Sequence, residues 1–417
     1  MFQFLLSLAF TGKNLFRLLE GTDSPVGISK DTAYRLLNSL TANWRRFLLL
    51  LSTRVIVQRL LPLSDEATTK VLIADDTLYS RDRSKRVELL ARVHDHNTGR
   101  YVRGFRMLTL GWSDGNSFVP MVLSMLSSAK DNNRLAPMRY GIDKRTNGYK
   151  RRQEIMRKST DVLVEMVSLA MTAGTTARHL LFDSWFAFPA TIRRIHALGM
   201  HTICMLKDTG KITYELQGWP LTLKELYESV RKRSGRAKVL AEVQVTVGND
   251  DHGNPVSAKI VFVRDRSSKK WLALLSTDTT LTAEEIITLY GRRWDIEVFF
   301  KMAKSFLNLA KEFQSRSFDA LVAHATLVCC CYIMLELVRR TTADPRTLGN
   351  LFHAVCDEMR QIGFTEALAL LLTLPEETLN NIIGLCKEQV QRLIKLFVET
   401  LPRAFRERLL LSAPACS

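Results

Sequence analysis

Val71-Leu72-Ile73-Ala74-Asp75-Asp76-Thr77 is a short apolar run that leads into carboxylates. Such a run, bounded by polar residues, predicts a buried strand. The pattern returns at His179-Leu180-Leu181-Phe182-Asp183, a second apolar stretch with an acid at its end. Further strands are expected at Val102–Leu110, after the turn residues Asn97-Thr98-Gly99, at Met121–Leu126 and at His201–Leu206. A helical stretch, Ala187–Leu198, lies between the strand that ends in Asp183 and the one at His201–Leu206, so strands alternate with helices and the region is α/β.

The texture changes on either side. From 207 to 276 the chain is β-rich, with strands expected at Leu240–Val247, Ala258–Val263 and Trp271–Leu275. From Thr282 onward it reads as helix. Residues 1–66 are also helical: Ile28-Ser29-Lys30-Asp31-Thr32 starts a helix, and Ala33–Leu51 carries Leu36, Leu37, Leu40 and Trp44 at helical spacing. Five segments result: a helical 1–66, an α/β 67–206, a β-rich 207–276, a helix-bearing 277–335 and a helical 336–417.

Composition narrows the function. The 417 residues hold 59 Lys+Arg against 42 Asp+Glu, a net +17, with 46% hydrophobic and 24% charged residues. That is a folded chain whose charge calls for a polyanionic partner. A membrane role is not expected. The most apolar run, Leu321–Leu335, contains His324, is followed by Glu336 and falls short of about 20 clean apolar residues, so a buried core helix is predicted. Met1–Phe10 lacks a basic start and reads as mature protein. Seven cysteines without a CxxC, three of them adjacent at 329–331, suit reduced thiols and a cytoplasmic location. Two basic clusters, Arg139–Lys158 with Tyr140 and Tyr149 interleaved and Arg231–Arg236, suit nucleic-acid phosphates.

The strongest signal is Leu289–Lys304. On one helix, Tyr290, Arg293, Glu297 and Lys304 would fall within about 60° of one another, with apolar residues over much of the rest. A polar stripe on a mostly buried helix must face a wet cleft or a charged ligand. Asp76 and Asp183 at strand ends, with Glu297 on the helix, make a set of hard oxygen donors that suits two Mg²⁺ ions. His94-Asp95-His96, with no third ligand, makes a poor metal site, and Gly21–Lys30 lacks a nucleotide-binding loop.

With these residues the chain resembles the DDE transposases of bacterial insertion sequences, in the branch marked by Tyr-x2-Arg-x3-Glu-x6-Lys. Tyr290, Arg293, Glu297 and Lys304 match that spacing at each position. Asp75-Asp76-Thr77 resembles the family's first catalytic strand, and Leu181-Phe182-Asp183-Ser184 its second. The resemblance implies a ribonuclease H-like catalytic core with a β-rich insertion at 207–276 and flanking all-helical domains, the one at 1–66 binding DNA ends. It implies Asp76, Asp183 and Glu297 as metal ligands, with Tyr290, Arg293 and Lys304 binding DNA. Two Mg²⁺ ions, replaceable by Mn²⁺, would serve cutting and joining of double-stranded DNA at terminal inverted repeats and at a target. A homodimer is expected, because two DNA ends must be paired. Trp271 is a candidate for holding a flipped base, with core packing as its alternative. The rival to cutting is a transposase-derived protein that only binds DNA.

Overall fold

Helix α1 (Lys30–Leu37) is followed by α2 (Trp44–Val55), so the helix expected from Ala33 to Leu51 is broken. Ser39, Thr41 and Asn43 explain the break, because short polar side chains offer the backbone alternatives to the helix ladder. The Ser39 hydroxyl accepts from the Ala42 N–H at 3.1 Å, and Asn43 caps α2 by accepting from the Arg46 N–H at 3.0 Å. The computed structural model describes residues 5–6, 9–10, 30–95, 98–233, 237–250, 252–265, 270–311 and 315–359. Most of residues 1–29, all of 360–417, His96 and 234–236 of the second basic cluster therefore lie outside the described residues.

Six strands follow α2: β1 (Val71–Ser80), β2 (Ala91–Asp95), β3 (Arg100–Ser113), β4 (Phe118–Leu126), β5 (His179–Phe182) and β6 (His201–Leu206). Between β4 and β6 lie α3 (Asn147–Glu154), α4 (Ser159–Thr172) and α5 (Pro189–Ala197). The central order is β4-β3-β1-β5-β6, with β1, β5 and β6 parallel and β3 antiparallel to both its long neighbours. This mixed sheet with helices on it fits a ribonuclease H-like nuclease.

The expectation that β1 ends in its carboxylates is corrected. β1 runs on for four residues past Asp76, paired with β3 down to Ser80↔Gly104. Its other neighbour, β5, pairs only with Val71–Ile73 and stops at Phe182. The acids therefore sit where the parallel neighbour ends, and the antiparallel hairpin carries the strand onward.

The β-rich stretch holds β7 (Thr213–Leu216), β8 (Trp219–Thr222), α6 (Leu223–Ser229), β9 (Val239–Asn249), β10 (Pro255–Arg264) and β11 (Trp271–Ser276). β11 pairs antiparallel with β6, so these strands extend the same sheet, which has eleven strands among the described residues. The β7–β8 hairpin is not anticipated from sequence. Its two-residue loop, Gln217-Gly218, has φ of 52° and 86°, the left-handed pair that a tight hairpin needs, but without the usual Asn-Gly or Asp-Gly signal.

Four helices complete the described chain: α7 (Ala283–Gly291), α8 (Trp294–Ser305), α9 (Phe318–Thr341) and α10 (Leu348–Met359). α9 is long and apolar enough to cross a membrane, yet 89% of its most apolar window is buried inside the protein, as expected of a core helix. It packs against α2, β4, α8 and α10, and it runs straight through the 335/336 boundary expected from sequence. Leu5, Leu6 and Phe10 are buried too. The Cys331 thiol donates to the Leu6 carbonyl, and Phe10 stacks on Phe352 at 5.5 Å. Burial pushes the Cys329, Cys330 and Cys331 thiols up, so they stay protonated and inert.

Part of the first basic cluster is structural. Arg152 is fully buried and holds Glu88 through two bonds, at 2.6 and 2.7 Å, and Asp319 at 2.7 Å. Arg151 also pairs with Asp319, which ties α3 to the start of α9. Gly148 lets α3 lie against Leu40 and Asp319: a Cβ there would meet the Leu40 side chain at 2.5 Å and Asp319 Oδ1 at 3.2 Å. Removing the Arg152 guanidinium would strip Glu88 of its ion-pair partner and leave Asp319 to Arg151 alone, at a cost of about 3–5 kcal/mol.

Candidate active site

Strand alternation sorts the residues of β1. Asp75 and Thr77 point to one face and Asp76 to the other. The pairing of Ile73 with Leu181 sets Asp183, two residues on, beside Asp75. The Trp185 N–H donates to the Asp183 carboxylate at 2.9 Å and fixes the turn that follows β5.

Helix α8 supplies the third side. Its apolar face, with Ile296, Phe299, Met302 and Ala303, is buried. The Phe299 ring lies 5.5 Å from that of Phe118 on β4 and 4.9 Å from that of Tyr332 on α9. That anchoring turns Glu297 and Lys304 toward β1. The single helix expected over Leu289–Lys304 is in fact two. α7 ends at Gly291, the Arg292 and Arg293 N–H groups bond back three residues, and α8 begins at Trp294. The stripe survives because the break is only a tight turn.

Arg293 is the hub. Its Nη1 donates to Asp75 Oδ2 at 2.9 Å and to Glu297 Oε1 at 3.2 Å. Its guanidinium also lies 6.0 Å from the centre of the Tyr290 ring. Lys304 Nζ donates to Thr77 Oγ1 at 2.6 Å, one step along the same face of β1. Asp76, on the opposite face, pairs with Arg106 of β3 at 2.9 Å. Arg292, the neighbour of Arg293, is engaged elsewhere, donating to the Thr69 carbonyl.

Gathering acids under cover has an electrostatic consequence. Burial, reinforced by the Asp183 charge, pushes the Asp75 carboxyl up to about 8 against the pull of Arg293. Burial raises Asp76 to about 6, with Arg106 opposing and Asp183 adding to the rise. Burial also raises Asp183, which the Trp185 N–H holds back. Burial lowers the Lys304 ammonium and would lower Arg293, which Tyr290, Asp75 and Glu297 raise overall. The site thus gathers buried acids whose ionised forms burial disfavours. Among the described residues no three His, Cys, Asp or Glu side chains form a ready metal-binding group. The Arg293 guanidinium stands between Asp75 and Glu297 and provides the positive charge there.

The structure therefore brings Asp183, Glu297, Arg293, Tyr290 and Lys304 together, with Asp75 as the acid that shares Arg293 with Glu297. The sequence assigns that first position to Asp76, which directly precedes Thr77. The signal for Asp75 lies in alternation: the acid sharing a face with Thr77, and hence with the helix bearing Lys304, is two residues before it. Trp271 packs its ring 5.0 Å from Phe262 and 5.2 Å from Tyr227, a core contact. In the second basic cluster, Arg233 pairs with Glu242 and Lys232 lies over the Tyr227 ring.

A family model described as "DDE superfamily endonuclease" matches residues 6–236, more than half of the chain. The chain belongs to the DDE superfamily of endonucleases. The model of an archaeal putative transposase family, ISC1217, matches residues 137–341 of this endonuclease. The first match spans Asp75, Asp76 and Asp183, the second Asp183, Glu297 and Lys304, so together they cover every acid at the site. Enzymes of the superfamily use divalent metal ions. No curated protein matches the endonuclease. The donor set fits such an ion: the carboxylates are hard oxygen ligands, and their raised values mark a place where added positive charge is favoured.

Proposed function

We propose that this endonuclease is a cut-and-paste DNA transposase of the Tyr-x2-Arg-x3-Glu-x6-Lys branch. The observation that carries the proposal is that Asp75 and Glu297 share Arg293 where β5 ends, with Asp183 close enough to raise Asp75. Nothing in DNA binding alone calls for buried acids raised toward neutrality, so no observation favours the binding-only alternative.

Asp183, Glu297 and the Asp75–Asp76 pair would hold the metal, with Asp75 the better placed of the two on the Glu297 side. Two Mg²⁺ ions, or Mn²⁺ in their place, would supply Lewis-acid activation of the attacking oxygen and stabilisation of the leaving oxygen for in-line displacement at phosphorus. Arg293 would then turn from Asp75 and Glu297 to the DNA backbone, where its planar fork matches a phosphate. Tyr290 backs that guanidinium. Lys304, held by Thr77, orients the strand as a point charge. Helices α1 and α2 carry Arg35, Arg45, Arg46 and Arg54, and belong to the 1–66 segment assigned to DNA ends. The 207–276 strands form the insertion, and two copies pair two ends. The protein works in the cytoplasm on the chromosome.

The test is an incubation of purified protein with DNA carrying the flanks of its own gene and an unrelated plasmid. Mg²⁺-dependent release of the segment, with its 3′ ends joined to the plasmid, is the expected result. Cutting without joining would reduce the protein to a nuclease, and no metal-dependent cutting would refute the proposal.

A further inference from the structure

β1 leads past the catalytic acids into a second feature. Beyond Ser80, the Arg81–Arg86 loop and the segments around Lys311 and Arg316 enclose a cleft of about 1030 Å³. Arg83, Lys85, Arg86, Lys311 and Arg316 line it and are exposed, and Lys304 of the catalytic cluster lines it too. The two walls are tied together, with Arg81 donating to the Ser315 carbonyl at 2.9 Å and the Glu88 N–H to the Arg316 carbonyl at 3.2 Å. Asp82 is the one carboxylate in the described lining, and it accepts from the Arg103 N–H at 3.2 Å.

The basic cleft between α2 and α3 makes the comparison. There Arg45 pairs with Glu154 and Glu165, and Arg157 with Glu165, so much of the charge is neutralised within the protein. Among the described residues, no ion pair links Arg83, Lys85, Arg86, Lys311 or Arg316 to an acid. Five like charges turned into one concavity repel one another, and a polyanion relieves the repulsion.

We propose that this cleft carries the DNA backbone away from the catalytic acids, on one side of the scissile phosphate only. The inference rests on the transposase reading and names which surface tracks the strand. From Asp75 to Ser80 the strand advances about 17 Å, at ~3.4 Å per residue. With ~3.4 Å of helix axis per phosphate of a strand, the contacts begin within about five nucleotides of the cut. Lys304 stands at the junction and serves both.

The experiment measures binding of full-length protein to a duplex bearing the element's end, in EDTA, across a salt series. Three proteins are compared: the parent, an Arg83→Ser/Lys85→Ser/Arg86→Ser variant, and a charge-keeping Arg83→Lys/Lys85→Arg/Arg86→Lys variant. At roughly 0.9 ions released per phosphate contact, the serine variant should lose about 2–3 from the slope of log affinity against log salt. Phosphate-ethylation interference should vanish from a block on one side of the cut and persist elsewhere, with the charge-keeping variant within about two-fold of the parent. A serine variant with the parental slope and interference pattern overturns the cleft assignment alone, as does a loss spread evenly over both sides. A parent that binds no DNA overturns the cleft and the transposase reading together.

Discussion

Glu297→Gln abolishes strand cleavage, lowering the rate by about 10³-fold or more, and leaves DNA affinity within a few-fold of the parent. A 10³-fold loss corresponds to ~4 kcal/mol of transition-state stabilisation. The reasoning is local. Gln keeps the length of the side chain and its bond with Arg293, now 3.2 Å from Glu297 Oε1, but removes the charge that a divalent ion needs. The apolar face of α8 is untouched, because Phe299 and its partners lie on the other side. The basic surfaces proposed to meet phosphate are also unchanged, so binding persists. Measuring both quantities on one preparation checks the claim. Affinity lost in step with cleavage would make Glu297 a structural residue.

The second large effect is on stability. Asp75→Asn makes the metal-free protein melt several degrees higher at pH 9 and removes most of its dependence on pH between 5 and 9. The Asp75 carboxyl is raised from an ordinary value of 3.8 to about 8 in the folded chain. A group raised in this way contributes stability that is fully present below about 4. That contribution is lost as the pH climbs through about 8, at up to about 1.4 kcal/mol per pH unit. Asn has no charge to bury and escapes the loss. Asp76→Asn acts in the same direction but over a shorter window, which closes near 6. Mg²⁺ at pH 8 should stabilise the parent and not the Asp75→Asn variant, since a bound ion favours the ionised form. Thermal melts in EDTA and in Mg²⁺ decide it. Equal melting of parent and variant at pH 9 would mean that Asp75 carries no such burden.

Much of this was legible in the chain. Val71–Ala74 and His179–Phe182 are short, wholly apolar and acid-tipped, and parallel strands buried on both faces leave that trace. Tyr290, Arg293, Glu297 and Lys304 share a face even though a turn at Arg292–Arg293 divides their helix, because two residues of tight turn hardly disturb the helical phase. What escaped needs neighbours. Whether Asp75 or Asp76 meets Glu297 depends on which face of β1 receives α8, and adjacent identical residues give no clue to that. The run of arginines at 151–152 looks like a solvated basic patch until Glu88 and Asp319, far away in the sequence, are seen closing on it. The basic cleft is hidden for the same reason: Arg83, Lys85 and Arg86 lie more than two hundred residues from Lys311 and Arg316, and the two sets meet only because β1 overruns its acids.

The proposed cleavage requires a divalent ion held where β1, β5 and α8 meet. Fe²⁺ put in place of Mg²⁺ generates hydroxyl radicals with ascorbate and peroxide, and these cut the polypeptide next to wherever the ion is bound. Protein fragments ending near residues 75–76, 183 and 297 are expected, suppressed by excess Mg²⁺ and absent in the Asp183→Asn variant. Cuts elsewhere, such as at His94, or cuts that Mg²⁺ does not suppress, would contradict it.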